Sequence, residues 1–223
     1  MSSAVAAADV DVVVFDIGNV LIRWDPRNLY RQLGYADVEI AAVIAETGLA
    51  EINHRQLDAG APFAPTIAAL AARFPHHAPF VEAFHARWEE MLGGAIDTTI
   101  TLVDELKAAG VPVHAISNFS REKFDIARAR FPVLDRFDEL IVSGDVGLVK
   151  PDAEIFELLI KRRDLTPARA VFIDDSAANI ATARRLGFAT IHFTEGETDL
   201  RAALVGLRLI TPSASARREW PPA

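Results

Sequence analysis

The sequence predicts an α/β fold: a doubly wound parallel sheet with a small helical cap inserted after strand 1. Three observations carry this. Short apolar runs rich in β-branched residues recur at 10–15, 111–116, 139–142, 170–173 and 189–193. They are continuous rather than alternating, as strands buried on both faces are. From about residue 97 onward helical patterns separate them, and strand–helix alternation implies a parallel sheet.

The elements follow in order. The run at 10–15 is the first strand. Residues 21–95 break the alternation: helix-like segments are interrupted by Gly34, Gly48, Gly60 and Pro62, with apolar faces near 67–74 and 80–92. This stretch reads as a small helical insertion after the first strand, and insertions there sit over the carboxyl ends of the strands, where open α/β sheets bind ligands. The next helix presents Ile100, Val103 and Leu106 on one face and stops at Gly110. Ser117 or Ser120 caps the helix after the second strand, and Asp152 reads as a true N-cap. Thr166-Pro167 reads as a cap followed by a first-turn proline, and Gly187 ends the helix over 177–186. The expected division is an α/β core over 9–20 and 96–210, a cap over 21–95, and a Pro/Ser-rich flexible tail over 211–223.

Composition narrows the function. A net charge of −8 over 223 residues disfavours nucleic acid and anionic membranes as partners. An anionic substrate would need its charge met locally, by a metal, a lysine or helix N-termini. The chain has no cysteine, which excludes disulfides, zinc–thiolate sites and cysteine nucleophiles. The N-terminus lacks a basic signal-peptide region, and no apolar run reaches the ~18 residues a membrane span needs, so a cytoplasmic location is expected.

The chemistry lies where the strands end. The first leads into Asp16-Ile17-Gly18-Asn19, the second into Ser117-Asn118, the fourth into Asp174-Asp175-Ser176, and the loop after the third contains Lys150-Pro151. Groups at the carboxyl ends of parallel strands converge on one crevice. A carboxylate such as Asp16 can itself act as a nucleophile. Mg²⁺ favours one or two carboxylates plus substrate phosphate, which Asp16 and Asp175 would supply. Lys150, Ser117 and the backbone amides after Asp16 would neutralise a transferring phosphoryl group. Each residue also has a local reading, as a turn residue, a helix cap or a solvated lysine; the functional reading rests on all four sites occurring in order.

The segments FDIGNVL (15–21), ISN (116–118), VKPDAEIF (149–156) and VFIDDSAANI (171–180) resemble the haloacid dehalogenase superfamily over residues 10–193. Within it they are most similar to bacterial sugar-phosphate phosphatases, particularly the glucose-1-phosphate phosphatase subgroup. That resemblance implies Asp16 as nucleophile and metal ligand, the Gly18 carbonyl and Asp175 as further Mg²⁺ ligands, and Asp174 beside them. It implies Ser117 and Lys150 on the phosphoryl group, Ile17, Gly18 and Asn118 around the substrate, Asn179 in support, and a cap that closes over a small phosphorylated substrate. One position departs from most phosphatases of the superfamily. The general acid/base aspartate two residues after the nucleophile is replaced by Gly18, as in the resembled subgroup, and losing such help typically costs ~10²–10⁴ in rate.

Two rival readings follow. A metal-independent 2-haloacid dehalogenase would use the same Asp16 and take the halide on a cap arginine, with Arg23, Arg27, Arg31 and Arg55 available. The Asp174-Asp175 pair speaks for a cation instead, since close like charges repel. A non-catalytic binding relative would have little need of Asp16, Lys150 and Asp175 together. In the cap, His54 and Arg55 are the expected substrate contacts. Trp24 and Trp88 are expected to pack the cap or stack on a sugar, and His76-His77 to be solvated.

Overall fold

The computed structural model describes residues 10–212, so the expectations for the N-terminus and for 213–223 of the tail lie outside it. Among the described residues there are seven strands: β1 (Val12–Phe15), β2 (Ile22–Trp24), β3 (Leu92–Ala95), β4 (Val113–Ser117), β5 (Glu139–Val142), β6 (Ala170–Asp174) and β7 (Ala189–His192). Five form a parallel sheet in the order β5-β4-β1-β6-β7. β1 is central, with Val13 registered against Val113 on one side and Val171 on the other. The Asp16 and Ser117 ends and the Asp174 end therefore lie side by side.

Between β2 and β3 run α1 (Arg27–Gln32), α2 (Asp37–Thr47), α3 (Leu49–Ile52), a π-helical turn (Asn53–Leu57), α4 (Phe63–Arg73) and α5 (Ala78–Ala86). After β3 come α6 (Asp97–Ala108), α7 (Arg121–Arg130), α8 (Ser143–Val146), α9 (Ala153–Arg163), α10 (Ala177–Arg185) and α11 (Leu200–Gly206). No helix among the described residues is long and apolar enough to cross a membrane.

Side chains alternate across the sheet and sort into two apolar clusters. Val13 and Phe15 join Leu102, Val103, Leu106 and Phe124, and the same cluster continues into Leu29, Tyr30, Phe63, Leu70 and Phe80 of the helical layer. Tyr30 stacks on Phe80 at 3.5 Å between centroids, and its hydroxyl donates to the Phe80 carbonyl. Val14 points the other way, into a second cluster with Ile155, Phe156, Leu159, Phe172 and Ile180.

Three details differ from the sequence reading, and a fourth settles a choice it left open. Residues 21–95 are not helical throughout: β2 and β3 pair as an antiparallel ribbon, Ile22 opposite Ala95, at the two ends of the helical stretch. Thr166-Pro167 opens only a 3₁₀ turn, Pro167–Arg169, because β6 begins at once. Asp152 precedes α9 but makes no side-chain cap bond; its carboxylate is taken by Arg55. Of the two serines, Ser120 caps α7 by accepting from the Lys123 amide, leaving Ser117 unengaged by the helix.

Candidate active site

The buried centre is an ion cluster. Asp16 leaves β1 with its amide donated to the Ile173 carbonyl, 2.8 Å away, so β6 fixes its position. The Lys150 ammonium lies 2.7 Å from Asp16 Oδ1 and 2.7 Å from Asp174 Oδ2, with the lysine side chain only 2% exposed. Asn118 secures the lysine's backbone from both sides: its Oδ1 accepts from the Lys150 amide and its Nδ2 donates to the Lys150 carbonyl, each at 2.8 Å. Asn118 therefore positions the ammonium, in addition to facing the cleft.

Asp174 is fully committed. It accepts from Lys150, from the Ser176 amide at 2.7 Å and from Asn179 Nδ2 at 3.0 Å on both oxygens. Asp175 is only part-buried and takes a single side-chain donor, Asn19 Nδ2, at 3.2 Å. One oxygen from each of Asp16, Asp174 and Asp175 lies within 4.8 Å of the others, a set of hard donors suited to a divalent cation. With all three carboxylates ionised, one ammonium would leave a surplus of two negative charges, the charge such a cation would neutralise. Asp174, taking four hydrogen bonds from three donors, is the least available of the three.

Asn19 was not anticipated as a site residue. It adopts φ +54°, a left-handed conformation that asparagine tolerates better than most residues. Its side chain joins Asp175 to the ribbon, because Oδ1 accepts from the Trp24 amide at 3.0 Å while Nδ2 serves the carboxylate. The one sequence signal was an asparagine after glycine in the turn beyond a strand. Within that turn the Ile17 carbonyl accepts the amides of Leu21 and Ile22, whereas the Gly18 carbonyl takes no hydrogen bond from a described residue.

Electrostatics follow from burial. Asp16 is pushed up to about 7 by desolvation, with the Asp174 and Asp175 carboxylates adding to the rise and Lys150 opposing it. Burial pulls Lys150 down, but Asp16 and Asp174 outweigh it and the net shift is upward. Asp175 is raised by burial and by Asp174, against the Asn19 hydrogen bond. A cation among these carboxylates would favour their ionised forms, Asp16 included.

Two hollows meet here. The inner one is lined by Ile17, Gly18, Ser117, Trp24, Trp88 and Asp58. The outer cleft, about 590 Å³, is bordered by Lys150, Asp175, Asn118, Asn179, His54 and Asp58, within the size range of small-molecule sites. Ser117 is buried, yet its hydroxyl bonds to no described residue, which leaves it for a ligand. His54 reaches the site, with Nδ1 3.3 Å from Asn118 Nδ2, and burial lowers its pKa. Arg55 is not brought in: it pairs with Asp152 at 2.9 Å on the outer surface. The other arginines weighed as halide receivers are likewise engaged outside, Arg23 with Glu195, Arg27 with Asp25 and Arg31 with Asp37. His77 pairs with Glu46 at an exposed position, away from the cleft.

At the carboxyl ends of an open parallel sheet the chain thus gathers a buried carboxylate, a lysine and an acidic pair, the setting of a hydrolase centre in an α/β fold. The chain belongs to the haloacid dehalogenase-like hydrolase family, whose model matches residues 10–187. Among curated proteins it is 33% identical over 95 residues to the sesquiterpene phosphatase astK of Aspergillus oryzae, covering 43% of this chain and 48% of that one. It is 32% identical over 90 residues to an (S)-2-haloacid dehalogenase of Pseudomonas putida, 40% of each. The matches thus span less than half the length of either relative. A predicted HAD-like family hydrolase from Porphyromonas gingivalis superposes with a TM-score of 0.69 at 25% identity, covering 90% of this chain and 99% of that one. A HAD family enzyme from Bacteroides thetaiotaomicron, solved with magnesium and inorganic phosphate, gives 0.64 at 21% identity, covering 86% and 98%.

Proposed function

We propose that the protein is a Mg²⁺-dependent phosphatase acting on a small phosphate monoester, of the sugar-phosphate class, through an aspartyl-phosphate on Asp16. The observation that carries this is the buried Asp16–Lys150–Asp174 cluster beside Asp175, whose surplus negative charge and oxygen donors suit a divalent cation. When bound, that cation would screen the substrate's phosphoryl charge from the carboxylates, held by Asp16, Asp175 and the Gly18 carbonyl.

The chain's own groups do the rest. Lys150 and Ser117 neutralise and orient the phosphoryl oxygens as charge shifts in the transition state. Asp16 Oδ attacks phosphorus, the bond to the leaving oxygen breaks, and an alcohol departs. Water then attacks the phosphorus of the aspartyl-phosphate and restores the carboxylate. Asn118 and Asn179 hold Lys150 and Asp174 in register. The helical layer serves as a cap that excludes bulk water.

The family holds a dehalogenase as well as phosphatases, so the residues have to decide between them. A dehalogenase reading wants a free arginine at the cleft, and Arg23, Arg27, Arg31 and Arg55 all carry carboxylate partners on the outer surface. The magnesium and phosphate of the Bacteroides neighbour agree with the phosphatase reading.

The test is a panel of p-nitrophenyl phosphate, sugar phosphates and 2-haloacids, each with and without Mg²⁺. Phosphate esters are expected to turn over only with the metal, and Asp16→Asn and Asp175→Ala each to abolish turnover. Undiminished hydrolysis by EDTA-treated Asp175→Ala protein would overturn the metal assignment, and haloacid turnover without metal would overturn the reaction.

A further inference from the structure

Position 18 leaves the proposed reaction without a proton donor for the leaving group. A Cβ built on Gly18 meets nothing within 4 Å, so the space beside the nucleophile is open. Asp58 lines the same inner hollow as Gly18 and Ser117, and the outer cleft with Lys150 and Asp175.

Asp58 is held there by the same loops that deliver the catalytic groups. Its amide donates to the Asn53 carbonyl at 2.8 Å, closing the π-helical turn. Its carbonyl accepts from Ser143 Oγ at 2.5 Å, and Ser143 Oγ in turn accepts from the Phe119 amide at 2.8 Å. Two residues on, Gly60 takes φ +97° and packs so closely that a Cβ would lie 2.7 Å from the Gly144 carbonyl oxygen. The turn is thus fastened to the segments following β4 and β5, which lead from Ser117 and toward Lys150. In the side chain, Oδ2 accepts from Asn53 Nδ2 at 3.1 Å, and no described residue bonds Oδ1.

We propose that Asp58 is the general acid/base of this enzyme, supplied from the cap in place of the missing carboxyl at position 18. The assignment rests on the phosphatase reading above. As Asp16 Oδ bonds to phosphorus and the P–O bond to the leaving group breaks, the Asp58 proton passes to the departing oxygen and an alcohol leaves. The resulting Asp58 carboxylate then takes a proton from the water that attacks the aspartyl-phosphate. Inorganic phosphate departs, and Asp16 ionised and Asp58 protonated are regenerated. Burial pushes the Asp58 carboxyl up to about 8, so it holds a proton at neutral pH. The titratable side chains sharing the cleft with it are Lys150 and Asp175 from the core and His54 from the cap.

The test is kcat/KM across substituted phenyl phosphates, from p-nitrophenyl to p-methoxyphenyl, with saturating Mg²⁺, for the wild type, Asp58→Asn and the double variant Gly18→Asp/Asp58→Asn. A proton donor matters most for the poorest leaving group. Asp58→Asn is expected to lose about 10²–10⁴-fold on p-methoxyphenyl phosphate and under about ten-fold on p-nitrophenyl phosphate, steepening the dependence on leaving group. In the double variant, a carboxyl in the open space at position 18 is expected to flatten it again, which repair of a merely structural defect at position 58 would not do. An equal fall across the series, or no fall, overturns the assignment of Asp58 alone. A wild type inert toward the whole series overturns the phosphatase reading, and this assignment with it.

Discussion

Asp58 illustrates how far a single carboxyl depends on its surroundings. Its pKa rises from 3.8 to about 8, with burial as the cause. Between those values the folded protein holds a proton that the unfolded chain has released. By linkage, stability then falls as pH rises through that interval. Asp58→Asn removes the titration, so its melting temperature relative to wild type is expected to climb steadily from about pH 5 to about pH 8. Thermal melts at matched ionic strength measure this, and a pH-independent difference would show that the group is solvated. A stabilising substitution that impairs turnover is the usual mark of a functional residue. Asp16, Ser117, Lys150 and the acidic pair were legible because each terminates or follows an apolar run, and strand ends converge by topology alone. Asp58 was not, because a carboxylate in a helical turn ordinarily meets water. Its placement comes from docking of its carbonyl on Ser143 and of Gly60 on Gly144, residues more than eighty positions away in the chain.

Elements were legible where period and punctuation agreed. The five sheet strands lie where the apolar runs predicted, and α6 and α10 give way to Gly110 and Gly187, at φ +76° and +94°. The β2–β3 ribbon was missed because β3 reads Leu-Gly-Gly-Ala, a composition that sequence propensity assigns to a loop and that pairing with Ile22–Trp24 overrides. Asp152 stands at the N-cap of α9 as expected but gives it no side-chain bond, its carboxylate pairing with Arg55 instead. Between elements, Ser143 is the contact with most at stake: its hydroxyl satisfies the Phe119 amide and the Asp58 carbonyl at once. Ser143→Ala strands both groups and is expected to cost about 1–3 kcal/mol in denaturant unfolding. Arg55→Ala, which removes only exposed ion pairs with Asp152 and Glu51, is expected to change stability by less than about 1 kcal/mol. Comparable losses from the two variants would mean the serine bridge is not formed in solution.

Across the whole molecule, one apolar cluster runs from the sheet into the helical layer, joining Val13 and Phe15 to Tyr30 and Phe80. Layer and sheet are therefore expected to melt together, as one calorimetric peak whose van't Hoff and calorimetric enthalpies agree. Two resolved peaks would show that the layer unfolds on its own. The fold class was legible at this scale because strand–helix alternation prunes the topologies. Which helical residues meet the cleft was not, since that depends on packing between segments that carry no common pattern.

The two sides of the sheet carry unequal burdens, and this has a genetic corollary. Behind it, Phe156, Leu159 and Ile155 pack the scaffold, away from the charged centre. Damage there lowers how many molecules survive while leaving each survivor at full speed. In front, Leu29, Phe63 and Phe80 share their packing with the sheet, so a lesion there also disturbs the helical layer that carries Asp58. Heat-sensitive alleles of equal severity should thus divide into two groups when activity is normalised to soluble protein. Second-site suppressors of the front group should cluster on that layer.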